Sequence, residues 1–222
     1  MIVVHHLNNS RSQRLLWLLE ELGLDYEIKR YQRNAKTMLA PPELRTVHPL
    51  GKSPVLTDGA NTLAESGTIM EHLVERYGNG RFAPPPGTPE RLRYTYFLHY
   101  AEGSAMTPLL LKLIFKRIPA SVPFFIRPVA KMISAGAMAR LVNPQLKSHL
   151  DFLEGELGKS PWFAGPEFSA ADVQMSFPLE AAASRAGLDA SRPRLMDFLT
   201  RIHARPAYKK AIEKGGEYAL LK

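Results

Sequence analysis

A chain of 222 residues holds one large or two small domains, and its 45% apolar and 23% charged residues exclude the disordered, collagenous and coiled-coil classes. Cysteine is absent, which removes disulfides, thiolate metal sites and a cysteine nucleophile, so any thiol chemistry must take its sulfur from elsewhere. Lys plus Arg (29) exceed Asp plus Glu (21), a net charge of +8 that favours anionic partners without choosing among them. No apolar run approaches the roughly 18–20 residues of a membrane span. Met1 through Ser10 reaches paired histidines and asparagines too early for a signal-peptide core, so cytoplasm is the expected compartment.

In chain order, Ile2-Val3-Val4-His5-His6-Leu7 is short and β-branched and ends at Asn8-Asn9-Ser10, which predicts a buried strand and a turn. Leu15, Leu16, Leu18, Leu19 and Leu22 recur at helical spacing up to Gly23, a C-cap residue. Tyr26 to Tyr31 alternates into a second strand, and the βαβ spacing implies a parallel pair. After the polar stretch from Gln32 to His48, Pro54-Val55-Leu56-Thr57 and Asn61-Thr62-Leu63 flank Asp58-Gly59-Ala60 as a hairpin. Ile69, Met70, Leu73, Val74 and Tyr77 form a helical stripe stopping at Gly78. Phe82-Ala83-Pro84-Pro85-Pro86-Gly87 can continue neither helix nor sheet. Beyond it the patterns are helical: Glu90 to about Lys116, Val129 to Leu157, Ala170 to Ala186 and Arg194 to Lys214, with kinks or breaks expected at Pro108, Pro144 and Pro178. The expected architecture is an α/β domain with a β-α-β-β-β-α core at 1–78, a linker at 79–87 and an all-helical domain at 88–222.

Four short signals bear on chemistry. Ser10 with Gln13 reads as a capping box, or as a hydroxyl at the positive end of a helix aimed at an anion. Ser53-Pro54 marks a strand boundary, or a cis bond that turns the preceding backbone toward an extended ligand. Glu65-Ser66 opens a helix, with Ser66 as N-cap or the free amides as a carboxylate site. Ser169-x-x-Asp172 is a capping-box pattern. The first three fall at strand ends beside helix starts, where sheets with parallel strands bind ligands.

The order and spacing of these motifs resemble the glutathione transferase superfamily over essentially the whole chain. The stretch from Leu7 to Leu22 resembles the serine-type bacterial and fungal members related to the theta class, and Ser169 with Asp172 resembles the structural capping box and buried aspartate of that family's helical domain. The resemblance implies a thioredoxin-like glutathione-binding domain followed by a helical bundle that lines an electrophile site. It further implies glutathione as co-substrate with no metal, a small hydrophobic electrophile, a homodimer, and neither nucleic acid nor a membrane as partner. Glu65 and Ser66 match the pair that holds the γ-glutamyl end, and Ser53, before Pro54, matches the residue whose backbone meets the cysteinyl unit. Lys52, with His48, matches the basic position facing the glycyl carboxylate. Ser10 matches the serine that donates to the sulfur, and Asn9 is the alternative donor. Tyr100, Glu102 and Thr107 fall on the helix that lines the electrophile pocket or dimer cleft; an aromatic stripe at this spacing is equally a core face.

The implied activity is attack of the glutathione thiolate on hydrophobic electrophiles. The alternatives are peroxide reduction in the same site and a non-catalytic ligand-binding module. A thiol of pKa about 8.5 needs roughly 2.7 kcal/mol to fall by about two units. One charge-assisted hydrogen bond of about 1.5–3 kcal/mol with about 0.3–1 kcal/mol from a helix dipole is of that size. The basic, Phe- and Pro-rich stretch from Lys112 to Lys131 matches no family motif and is expected as a lid or local helix.

Overall fold

A computed structural model describes residues 1–216 and 218–221. β1 (Ile2–Leu7) runs parallel to β2 (Tyr26–Tyr31) and antiparallel to β3 (Val55–Asp58), and β3 pairs with β4 (Asn61–Ala64), giving the order β2-β1-β3-β4. As an interior strand β1 is buried at nearly every position, which is why it reads as an apolar run. Its pleat still sorts the side chains: Ile2 and Val4 join the main core with Leu15 and Leu16, whereas Leu7 packs with Tyr31 and Leu44 on the opposite face. His6 therefore belongs to the helix-covered face and His5 to the other.

Two glycines end the helices of this half for different reasons. α1 (Ser12–Leu22) closes on Gly23 at φ 71, where the amides of Gly23 and Leu24 return to Glu20 O and Leu19 O. α2 (Ser66–Tyr77) closes on Gly78 in a right-handed conformation; a Cβ there would lie 2.3 Å from Val74 O, so close approach rather than backbone freedom requires glycine. The β3–β4 hairpin turns through Gly59 and Ala60, with Gly59 at φ 60.

The second half is helical: α3 (Pro89–Tyr100), α4 (Met106–Ser121), α5 (Arg127–Ala137), α6 (Asn143–Glu156), α7 (Ala170–Arg185), α8 (Pro193–Ala204) and α9 (Pro206–Gly215). Proline sets its irregularities. One π-helical turn, Ala101–Ala105, joins α3 to α4 just before Pro108, and another, Met138–Val142, joins α5 to α6 just before Pro144. In each case the residue four positions before the proline, whose carbonyl the ring would strike, lies in the widened turn. The single helix expected over Arg194 to Lys214 is instead two, because Arg205, preceding Pro206, is held extended at ψ 132. The helix expected to stop near Lys116 continues to Ser121, and the segment from Lys112 to Lys131 is the tip of an α4–α5 hairpin rather than a separate lid.

α7 is the axis of this half. It is buried from Ala170 through Ala182, and the polar Asp172, Gln174, Ser176 and Glu180 are enclosed along with its apolar residues. Ser169 and Asp172 form a capping box at its start: Asp172 accepts from Ser169 N (2.8 Å), Ser169 Oγ (3.0 Å) and Phe163 N (2.8 Å). Burial pushes the Asp172 carboxyl up to about 6 against those three donors. Pro178 lies inside α7, so Gln174 O has no helical donor at that position, and the guanidinium of Arg14 on α1 supplies one at 2.5 Å. A helix defect thus becomes a joint between the two halves.

Candidate functional site

The turn after β1 is where the first polar cluster assembles. Asn9 takes φ 51, a left-handed value that asparagine tolerates, and its Oδ1 accepts from Ala219 N at 2.6 Å. This reversal drops Ser10 into the interior, 4% exposed. Ser10 Oγ lies 2.7 Å from Ser12 Oγ and 3.2 Å from Ser53 Oγ, and it accepts the Ser12 amide at 3.2 Å. The capping box expected of Ser10 and Gln13 does not form. α1 begins at Ser12 with Arg11 as an unassisted N-cap, and the Gln13 amide is drawn away to Ala211 O on α9 at 2.8 Å.

Ser12 and His6 extend this cluster inward. Ser12 Oγ is 2.9 Å from His6 Nδ1, and His6 Nε2 is 3.1 Å from Gly215 O at the end of α9. A carbonyl only accepts, so Nε2 carries the hydrogen. Burial, above the smaller opposing effect of the Gly215 carbonyl, lowers the His6 ring to about 4 and keeps it neutral. Nδ1 is then an acceptor, Ser12 donates to it, and the Ser10 hydroxyl donates to Ser12 Oγ. The order of hydroxyl hydrogens follows from one backbone carbonyl more than two hundred residues away.

Beside this chain lies a cavity of about 230 Å³ lined by Arg11, His48, Lys52, Ser53, Glu65, Glu102 and their neighbours Pro54 and Ser66. The Ser53–Pro54 bond is cis. Glu65 holds φ 68 at the start of α2, and Ser66, Gly67 and Thr68 precede the first α2 donor, Ile69, whose amide reaches Glu65 O at 3.0 Å. Those leading amides make up the positive end of the helix. Ser66 is the first helical residue rather than the N-cap, and its Oγ accepts from Arg14 Nη2 (3.0 Å) and Gln174 Nε2 (3.1 Å). Lys52 is exposed on the rim, and His48 Nδ1 accepts a long bond from Leu50 N at 3.4 Å.

Two residues the sequence did not single out support this wall, Arg11 lining it and Arg14 enclosed behind it. Arg11, the N-cap of α1, and Arg14, in its first turn, both pair with Glu102 in the π-helical turn, at 2.8 and 2.5 Å. Burial opposes ionisation of Glu102, but the guanidiniums of Arg14 and Arg11 outweigh it and hold the carboxyl below its usual range. Arg14 is itself almost wholly enclosed, 2% exposed. Of the three residues expected at the electrophile pocket or dimer cleft, Glu102 lines this cavity and the other two do not. Tyr100 is buried among Tyr96, Phe97 and Phe152 with its hydroxyl on His149, and Thr107 is exposed and bonded to Gly103 O at 3.2 Å. A larger cavity, about 740 Å³, lies between residues 80–85 and the 162–169 loop; of the residues singled out from the sequence it takes in Ser169 of the capping box. Among the described residues no group of three or more His, Asp or Glu is placed to hold a metal.

Similarity to known proteins follows the same pattern. Residues 1–75 match the family model described as the glutathione S-transferase N-terminal domain, and residues 118–206 match the C-terminal domain. The chain is 35% identical to glutathione S-transferase 3 of Schizosaccharomyces pombe, covering 96% of this chain and 88% of that one. It is 34% identical to glutathione S-transferase 1 of Saccharomyces cerevisiae, covering 96% and 95%. A crystal structure of a glutathione S-transferase from Actinobacillus pleuropneumoniae superposes with a TM-score of 0.84 at 36% identity, covering 100% of this chain and 96% of that one.

Proposed function

The chain belongs to the glutathione S-transferase family, and from that premise we propose that it is a serine-type, theta-related member in which Ser10 donates the hydrogen bond that keeps the glutathione sulfur ionised for attack on a small hydrophobic electrophile. The observation that carries the reading is the 3.2 Å separation of Ser10 Oγ and Ser53 Oγ, which puts the hydroxyl beside the residue preceding the cis proline. The tripeptide lies in the cavity with its γ-glutamyl carboxylate on the leading amides of α2 at Glu65 and Ser66. Its cysteinyl unit meets the Ser53 backbone beside Pro54, and its glycyl carboxylate faces Lys52 and His48. On binding, the Ser10 hydrogen swings from Ser12 to the sulfur, exchanging a neutral hydrogen bond for a charge-assisted one. Asn9 is the weaker candidate donor, since its amide oxygen is anchored to Ala219 N. In this reading the divide between the domains is 79–87, the molecule is a cytoplasmic homodimer, and orientation of the electrophile is the remaining task of the helical domain.

Ultraviolet titration of the bound tripeptide tests the assignment. The thiolate absorbance is expected to rise about two pH units below that of the free thiol in the native enzyme and to return toward about 8.5 in Ser10→Ala. Conjugation near neutrality is expected to fall by about 10–100-fold with glutathione affinity retained. An unchanged midpoint in Ser10→Ala sinks the assignment.

A further inference from the structure

The α4–α5 hairpin breaks the rule by which the rest of the chain is folded. Its tip is a turn over Pro123–Ile126, closed by Ile126 N donating to Pro123 O at 3.0 Å, with Phe124 and Phe125 at the two central positions. Such positions ordinarily hold Asn, Asp, Gly or Ser. Here two phenylalanines stand 77% and 68% exposed, their rings edge to face at 5.6 Å. α5 continues the inversion: it buries the small Ala130 and Ser134 and turns Val129, Met132 and Ile133 outward, at 51%, 68% and 61% exposure. An amphipathic helix in a globular protein does the reverse.

The charge at this end is equally one-sided. From Gly103 to Leu150 the sequence has no Asp or Glu and seven Lys and Arg. Among those seven, Lys116, Arg117, Arg127 and Lys131 are exposed around the tip. The family resemblance implies no membrane partner, yet folding gathers an aromatic apex and a cationic collar at one end of one hairpin. A second copy of the chain docked through this face by a two-fold axis would set cation against cation. An anionic bilayer satisfies both parts at once, apolar side chains entering the headgroup boundary while lysines and arginines meet lipid phosphates. No helix among the described residues is long and apolar enough to cross a membrane, which leaves attachment to its surface.

We propose that the α4–α5 tip is a membrane-surface anchor that seats Phe124, Phe125 and the outer face of α5 in an anionic lipid bilayer. The inference is independent of the assignment of Ser10. The test is sedimentation of the full chain with vesicles of phosphatidylcholine alone and of equal parts phosphatidylcholine and phosphatidylglycerol. The native protein is expected to pellet with the anionic vesicles, less so as salt rises, and to stay in solution with the neutral ones. The double variant Phe124→Ser with Phe125→Ser is expected to lose about tenfold or more in partitioning at unchanged circular dichroism, and Arg127→Glu with Lys131→Glu to lose the preference for anionic lipid. Phe124→Trp is expected to show a blue-shifted emission on adding anionic vesicles. Native protein that stays in solution with both vesicle types overturns the proposal, as does a serine double variant that pellets like the native chain. If light scattering shows that variant to be monomeric where the native protein is dimeric and neither binds vesicles, the face joins two copies instead and the proposal fails.

Discussion

The two ends of α4 are built on opposite principles. At the π-helical turn, Glu102 meets Arg11 and Arg14, and the Arg14 terminal nitrogens also donate to Ser66 Oγ and Gln174 O. Polar groups are buried there and nearly all partnered; among the described atoms, Arg14 Nε and Gln174 Oε1 are the exceptions in this cluster. At the tip, apolar groups are exposed and unpartnered. Burying polarity is stable when each group finds a mate, and it fixes geometry in the bargain, which suits a site that must orient a small anion. Exposing apolar surface leaves free energy to be recovered by something outside the chain.

The sharpest way to break the polar end is at Arg14. Arg14→Met leaves Gln174 O without its donor, Ser66 Oγ with Gln174 Nε2 alone and Glu102 with one guanidinium in place of two, and a loss of about 3–5 kcal/mol is expected in chemical denaturation. The double variant Arg14→Met with Glu102→Met should recover part of that, because removing both partners spares the uncompensated charge. If the double variant instead loses the full sum of the two single changes, the ion pair is not what holds α1 to the π-helical turn.

That cluster also marks the limit of sequence reading. Signals confined to a few residues were readable: β1 from its β-branched run, Gly23 from the end of a leucine stripe, the Asp58–Asn61 hairpin, and Ser169 with Asp172 from their spacing. Lys52, Ser53, Glu65 and Ser66 were singled out from family motifs, and the fold brings them to one cavity with His48. The interior partners were not readable. His6 meets Gly215 and Arg14 meets Gln174 across most of the chain, and no local pattern announces which carbonyl a distant proline leaves open. Nor does a helical stripe say which face points outward. The apolar residues of α5 sit at ordinary amphipathic spacing, and the packing of Ala130 and Ser134 against the domain decides the matter.

A gentler probe of the polar end is pH. The folded state lowers the His6 ring from 6.5 to about 4, so folding favours the neutral form. The stability this contributes is complete above about 6.5 and is lost as pH falls toward 4, because the unfolded chain binds a proton that the folded chain refuses. Asp172 works with the opposite sign: its folded value is raised, to about 6, so its own contribution grows as pH falls through that value. Stability curves alone would blend the two. Imidazole proton resonances separate them, and the His6 signal is expected to titrate near 4. A midpoint near 6.5 would show that burial does not hold the ring neutral, and the inferred order of hydroxyl hydrogens through Ser12 to Ser10 would fall with it.

The smallest expected effect belongs to the other end, and its smallness is informative. Phe97 is 1% exposed inside the aromatic cluster of α3, and its truncation to Ala should cost about 3–5 kcal/mol. Phe124 has the same side chain at 77% exposure, its ring edge to face with Phe125. Phe124→Ser should therefore shift the denaturation midpoint of the lipid-free protein by no more than about 0.5 kcal/mol, or raise it slightly, since serine suits a turn better than phenylalanine. A loss on the scale of Phe97 would mean that the ring is already buried in the free molecule, against another copy of the chain. Neutrality places whatever keeps phenylalanine at that position outside the folding of the chain itself.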